Sequence, residues 1–208
     1  WGKNSINPKK YGIEANVSWE SAITDNINVV QRTTDALAFA VAAAIESRCV
    51  TILDATGRNT AAASATWDNA TVASRRPSDD LAVAKQSISN SKQQSYKADT
   101  AILNPYEMAY LLANDSIMSS FAPSLAEVMK TGDLGFVLGL KLLESPWKVT
   151  DSVKVVNARQ CALWKQVRPL ETSIIDDAGI SKTMRVYEYG EGICLAPKAI
   201  ADITNTKT

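Results

Sequence analysis

Residues 25–53 contain neither glycine nor proline, and this uninterrupted stretch limits the chain more than any other feature. Ile27, Val30, Leu37, Val41, Ala44, Ile45, Cys49 and Ile52 recur at helical spacing, while Gln31, Arg32, Asp35, Glu46 and Arg48 fall largely on other faces. The pattern predicts one amphipathic helix, started by a Thr24 or Asp25 cap and ended by Gly57 just past Asp54. At the rise of an α-helix it spans about 40 Å. Its Ala-rich centre, residues 36–44, lets other backbone approach closely, and the rest of the chain must supply its cover.

A chain of 208 residues can build one sizeable core or two small ones, and two lobes are expected. Its 22 basic and 22 acidic residues balance, so no net field draws in nucleic acid or an anionic membrane. Lys9-Lys10 and Arg75-Arg76 are the paired basic residues, and both read as solvated loops. No apolar run approaches the roughly 20 residues that span a bilayer. The first residues lack the layout of a signal peptide, so a soluble protein with no membrane partner is expected. Because it begins at Trp1 rather than Met, the chain reads as a processed or partial polypeptide. Cys49, Cys161 and Cys194 lie far apart in apolar surroundings, which predicts buried thiols in a reducing compartment rather than disulfides or metal ligands. There is no histidine. Ser-His-Asp and Cys-His catalysis, and the commonest metal ligand, are therefore excluded.

Ahead of the helix, Ile13, Ala15 and Val17 alternate with Glu14 and Asn16 as in a strand with one covered face, and Ser18 to Glu20 read as a short helical turn. Residues 55–77 are rich in Ala, Thr, Ser and Asn, with Trp67 the one large apolar side chain, and read as a loop or loose ribbon. Ser78, Asp79 and Asp80 then open a second helix with Leu81, Ala84 and Ile88 on its apolar stripe. Ala101-Ile102-Leu103 is a short strand that turns straight into a helix, with Asn104 as cap, Pro105 in the first position and Glu107 completing a capping box. Residues 124–132 repeat the capping-box logic. Between these helices, residues 114–123 carry Ile117, Met118 and Phe121 with no evident core role, as an apolar loop offered to a partner would. From Gly135 onward the character is stranded: Phe136, Leu138, Leu140 and Leu142 alternate up to Pro146. Further strands are expected at 153–156, 161–167, 184–189, 192–196 and 199–203, with a tight turn at 176–179.

No nucleotide-binding glycine loop, nucleophile elbow or CxxC is present. Asp79-Asp80 and Asp176-Asp177 are the paired carboxylates, explained by helix capping and by turn chemistry. The tryptophans do not alternate with basic residues as in a single-strand stacking platform. No catalytic, cofactor-binding or metal-ligating residue is assigned.

This order of parts resembles the major capsid proteins of tailed bacteriophages, the HK97-like fold, over nearly the whole chain. Residues 9–17 resemble the returning arm of the extended loop, and 25–53 the spine helix. Residues 98–112, with Leu103-Asn104-Pro105, are similar to the central strand and helix of the axial domain. GFVLGLKLLESP, residues 135–146, resembles the strand after the capsomer-centre loop, and 184–203 the final return strands. The resemblance implies an α+β fold with a peripheral and an axial domain. It places the returning arm at residues 1–17, the peripheral domain at 18–77 and 185–208, and the axial domain at 78–184. It further implies that the first arm of the extended loop and the N-terminal arm precede Trp1.

The implied function is that of a structural major capsid protein, not an enzyme. Copies would form hexamers and pentamers that tile a shell around double-stranded DNA in the virion, assembled in the host cytoplasm. Scaffolding, portal and cement proteins are the further partners it implies. Lys9, Lys10 and Tyr11 on the arm, with Ile117, Met118 and Phe121 in the apolar loop, are the candidate subunit-interface residues. An encapsulin-type compartment shares the architecture and is the alternative; a carboxylate- or Lys-dependent enzyme domain is a more remote one. A neutral chain suits a wall that confines DNA without binding it, since phosphate binding requires clustered Lys and Arg.

Overall fold

The computed structural model describes residues 5–24, 28–91, 96–114, 117, 135–177 and 179–207. In chain order its elements are β1 (Lys9–Ser18), α1 (Trp19–Thr24), α2 (Val29–Ile52), β2 (Asn59–Ala62), α3 (Pro77–Ser89), β3 (Thr100–Leu103), α4 (Pro105–Leu112), β4 (Phe136–Val137), β5 (Leu140–Glu144), β6 (Ser152–Val156), β7 (Ala162–Asp177), β8 (Ser181–Cys194) and β9 (Ile200–Thr204). The chain is α+β and divides into two compact units. The first joins Trp1–Ile52 to Trp164–Ile193, and the second joins Leu53–Leu163 to Cys194–Thr208.

The first unit is a three-stranded sheet, in the order β1-β8-β7, with α2 packed on one face. β1 and β8 run antiparallel, with Tyr11 opposite Glu188, Ala15 opposite Met184 and Val17 opposite Lys182. Side chains alternate along a strand, so one face carries Ala15, Val17, Met184 and Val186. These meet Leu37 and Val41 of α2, flanked by Val30, Ala38 and Ile45 at helical spacing. Each large apolar side chain so buried contributes about 1.5–3 kcal/mol. Val30, Leu37, Val41 and Ile45 follow the predicted periodicity, whereas Ala44 is exposed and Val50, outside the predicted stripe, is buried. The start of α2 differs. Asn28 caps it, its Oδ1 accepting the Gln31 N–H at 3.3 Å, whereas Thr24 closes α1 by donating to the Glu20 carbonyl at 2.7 Å. Asp25, the other expected cap, lies outside the described residues.

Two expectations about the strands change. β8 runs unbroken through Gly190-Glu191-Gly192, where a break between two strands is predicted. Gly190 is flanked by β1 and β7, and a Cβ there would sit 3.1 Å from the Lys165 carbonyl and the Trp164 indole. The missing side chain lets the strands close up instead of interrupting them. β7 is longer than the predicted 161–167 and continues to Asp177; the turn is closed by Ile180 N–H donating to the Asp177 carbonyl at 3.0 Å. Pro169 is tolerated in mid-strand because β7 lies at the sheet edge.

The second unit is a mixed sheet in the order β2-β9-β6-β3-β5-β4. Leu81, Ala84 and Ile88 of α3, Ala101 and Leu103 of β3, Leu111 of α4, Val153 and Val155 of β6 and Ile200 and Ile203 of β9 form its core. The stretch read as a loose ribbon supplies two parts of this unit. Asn59–Ala62 pair in parallel with β9, and Trp67 is only 1% exposed. Its indole N–H donates to Asp80 Oδ2 at 2.9 Å, and Asp80 Oδ1 accepts the Ser64 N–H at 2.9 Å. Asp80 therefore pins the ribbon to α3 as well as sitting in that helix's first turn.

Asn104 caps α4 as predicted, accepting the Tyr106 N–H at 3.0 Å. Glu107 does not close a capping box. It is buried and accepts the Asp151 N–H at 2.7 Å and the Thr206 hydroxyl at 3.3 Å. Asp151 adopts φ 75°, and Glu107 satisfies a donor that this turn turns inward. The single strand predicted for 136–142 is a hairpin, because Leu138 and Gly139 both take positive φ (52° and 73°) in the two-residue turn between β4 and β5.

Residues 53–77 and 194–208, expected with the spine helix, belong to this second unit because β2 and β9 complete its sheet. Residues 164–184, expected with the axial domain, belong to the first because β8 pairs with β1 on one side and with β7 on the other. The helix predicted at 124–132 lies outside the described residues.

Candidate assembly surface

On β8, Arg185, Tyr187 and Tyr189 alternate with the buried Met184, Val186 and Glu188, so they occupy the sheet face opposite α2. Lys10, Arg168 and Ser173 join them around a groove of about 440 Å³. Gly12 faces Tyr187 across the β1–β8 ladder, and a Cβ there would lie 2.9 Å from the tyrosine's Cβ. Its absence lets β1 and β8 approach closely at this pair. The Lys10 ammonium sits 4.6 Å from the Tyr187 ring centroid, a cation–π geometry. Tyr187 donates to Glu171 Oε2 at 2.9 Å; that carboxylate first, by its hydrogen bond, raises the phenol above its ordinary range. Arg185 Nε donates to Glu14 Oε2 at 2.8 Å.

On the covered side, Glu191 gathers the root of β1 and the spine helix. Arg48 Nε donates to its Oε1 at 2.9 Å, and so does the Gly192 N–H at 3.1 Å; Lys9 Nζ lies 3.6 Å from Oε2. Burial pushes the Glu191 carboxyl up, but Arg48, the Gly192 N–H and Lys9 outweigh it and leave the group below the usual carboxylate range. Tyr11 packs on Trp164 with ring centroids 5.9 Å apart, and burial, followed by Glu191, raises its hydroxyl.

The candidate residues thus separate. Lys9 and Tyr11 are engaged within the unit, Lys10 lines the outer groove, and Ile117 is 3% exposed in the core of the second unit rather than offered to a partner. Met118 and Phe121 lie outside the described residues. Arg168, Arg185, Tyr187 and Tyr189 were not singled out from the sequence, although the i, i+2, i+4 spacing on β8 is the signal that places three of them on one face. Exposed apolar side chains are also concentrated on β7, where Val167, Leu170, Ile174 and Ile175 are all 42–52% exposed. Phe39, at 76%, projects from α2.

Among the described residues no group of three or more His, Cys, Asp or Glu side chains is placed to hold a metal, and no helix is long and apolar enough to cross a membrane. The three cysteines are free thiols. Burial raises all three and pushes Cys161 up to about 11, so Cys161 is not a thiolate near neutral pH.

A family model described as phage capsid protein matches residues 3–201. No curated protein matches the sequence. Among solved structures, the fold is similar to that of a protein of Mycobacterium phage Che8, with TM-score 0.75 and 16% identity, covering 96% of this chain and 72% of that one. It is similar to the capsid of Myoviridae phage XM1, with TM-score 0.68 and 15% identity, covering 97% and 74%. An encapsulin complex from Synechococcus elongatus PCC 7942 is also similar, with TM-score 0.61 and 11% identity, covering 96% and 74%.

Proposed function

The chain belongs to the phage capsid protein family, and on that premise we propose how its two units build a shell. It is a structural protein of the virion capsid, a major capsid subunit of the HK97-like type that self-assembles. In our reading the first unit, with α2 as spine and β1 as the root of an extended loop, is the peripheral part of the subunit. The second unit is the axial part. Copies gather into hexamers and pentamers around the axial parts, and these tile a shell around double-stranded DNA. Assembly takes place in the host cytoplasm, with scaffolding, portal and cement proteins as partners. The chain has no enzymatic step of its own.

The observation that carries this reading is the edge strand β7. It extends over 16 residues with apolar side chains exposed along it. An open edge of this kind is an aggregation hazard in a free monomer and is usable surface in an assembly. Sizing chromatography and electron microscopy of the purified protein test the reading: rings or closed shells are expected, and a stable monomer at every concentration would sink it. Packaged DNA in the particles is expected. A packaged cargo protein instead would favour the encapsulin-type compartment, which shares the architecture.

A further inference from the structure

We propose that the outer groove of the β1–β8–β7 sheet receives the β7–β8 hairpin tip of a second copy of this chain; the proposal rests on the self-assembly reading above. The groove presents Lys10, Arg168 and Arg185 around the rings of Tyr187 and Tyr189. The carboxylates facing it are Glu14, held by Arg185, and Glu171, held by Tyr187, so cations outnumber carboxylates. The hairpin tip has the opposite character. Asp176 and Asp177 are exposed there against one lysine, Lys182, whose Nζ lies 3.6 Å from Asp176. Beside them Ile174, Ile175 and Ile180 are 52%, 46% and 68% exposed. An acidic, apolar tip therefore faces solvent on the same chain as a basic, aromatic groove, and the two match in charge and in apolar character.

One chain cannot make this contact with itself. Tip and groove lie on a single continuous hairpin, with Ser173 of the groove directly preceding Ile174 of the tip, so the tip extends away along the strands and cannot fold back onto the groove. Because the two surfaces differ, the contact is head-to-tail, the type that closes into rings or propagates into larger arrays. Nucleic acid is the other anionic occupant to consider. It fits less well, because Glu14 and Glu171 stand inside the groove and phosphate binding relies on uncompensated basic clusters.

The test uses the full chain with charge reversals on each side: Lys10→Glu with Arg168→Glu in the groove, and Asp176→Lys with Asp177→Lys at the tip. Juxtaposed like charges should lower shell yield by about tenfold or more for either variant alone, with circular dichroism and thermal midpoint of the subunit unchanged. The combined four-site chain should recover assembly. Independently, Lys10→Cys with Asp177→Cys should give inter-chain disulfide ladders on oxidation, with the wild-type chain as control. Wild-type shells alongside unaffected reversals, no recovery in the combined chain, or absent ladders would overturn the docking while leaving the shell reading intact. Loss of encapsidated DNA with normal shell yield in the groove variant would reassign the groove to nucleic acid and also overturn it. A wild-type chain that stays monomeric overturns both.

Discussion

Arg48 and Lys9 both reach Glu191, and the resulting low proton affinity of that carboxyl makes the first unit sensitive to acid. The folded-state pKa lies below the unfolded value of roughly 4.3. The stabilisation is therefore complete above that value and is lost as pH falls through the lower, folded one. Thermal midpoints of wild type and Glu191→Gln, measured from neutral pH downward, should differ most near neutrality and converge in acid. Curves that stay parallel would remove Glu191 from the acid response. The second unit holds a different kind of charge. Lys154 and Asp202 are cross-strand partners on β6 and β9, 1% and 4% exposed, with Nζ 3.2 Å from Oδ2; Asp54 also bonds to Lys154, and Arg58 Nε lies 3.2 Å from Asp202. Desolvation largely cancels the attraction in such a pair, whereas removing one partner strands the other. Lys154→Met leaves Asp202 with Arg58 as its cation, so it should cost less in denaturant unfolding than the ~3–5 kcal/mol of a fully stranded buried charge, and adding Asp202→Leu should recover part of it. Neither centre was legible in the sequence, where Lys154 breaks a run of valines and Glu191 sits between glycines. The β6–β9 register brings Lys154 to Asp202, and the packing of α2 brings Arg48 to Glu191.

Among the elements, the spine helix was legible because its stripe repeats often enough to outvote single residues. Val41, 3% exposed, lies at its centre, so Val41→Asp should abolish soluble folding at a cost of several kcal/mol. A soluble, assembling Val41→Asp protein would contradict the packing of α2. The β4–β5 hairpin was not legible, since Leu138 continues the alternation of a single strand. It is found instead at φ 52°, a conformation that costs an ordinary side chain about 1–2 kcal/mol. It is also 47% exposed, so little burial is lost by replacing it. Leu138→Asn creates the Asn-Gly pair that such turns favour and should stabilise the subunit by about 1 kcal/mol, read as a higher denaturant midpoint. Glu107 teaches the same lesson from another side. Its spacing from Asn104 fits a capping box, but the orphan N–H of a turn more than forty residues away competes for it, and tertiary demand wins.

For the whole molecule, the order of elements was legible and their grouping was not. A short parallel strand such as β2, with the sequence Asn-Thr-Ala-Ala, has no periodicity to announce it. Its membership of the second sheet depends on β9, which arrives nearly 140 residues later. The interface candidates show the matching limit, since Ile117 carries the composition of an exposed loop yet is buried in a core. Surface residues that survive this test are those that the folded units leave uncovered, and Phe39 is the most exposed of the large apolar ones on α2. A side chain 76% exposed contributes little to the fold, so Phe39→Ser should change subunit stability by no more than about 0.5 kcal/mol. If the outer face of α2 is covered in the shell, the same change removes apolar burial from every copy at once, and closed-shell yield should fall by far more than unfolding free energy does. Sedimentation of shells against free subunits, run beside denaturant unfolding of the subunit, separates the two. Equal shell yield would mean that Phe39 stays solvent-exposed after assembly, and a matching loss of subunit stability would mean that it belongs to the fold.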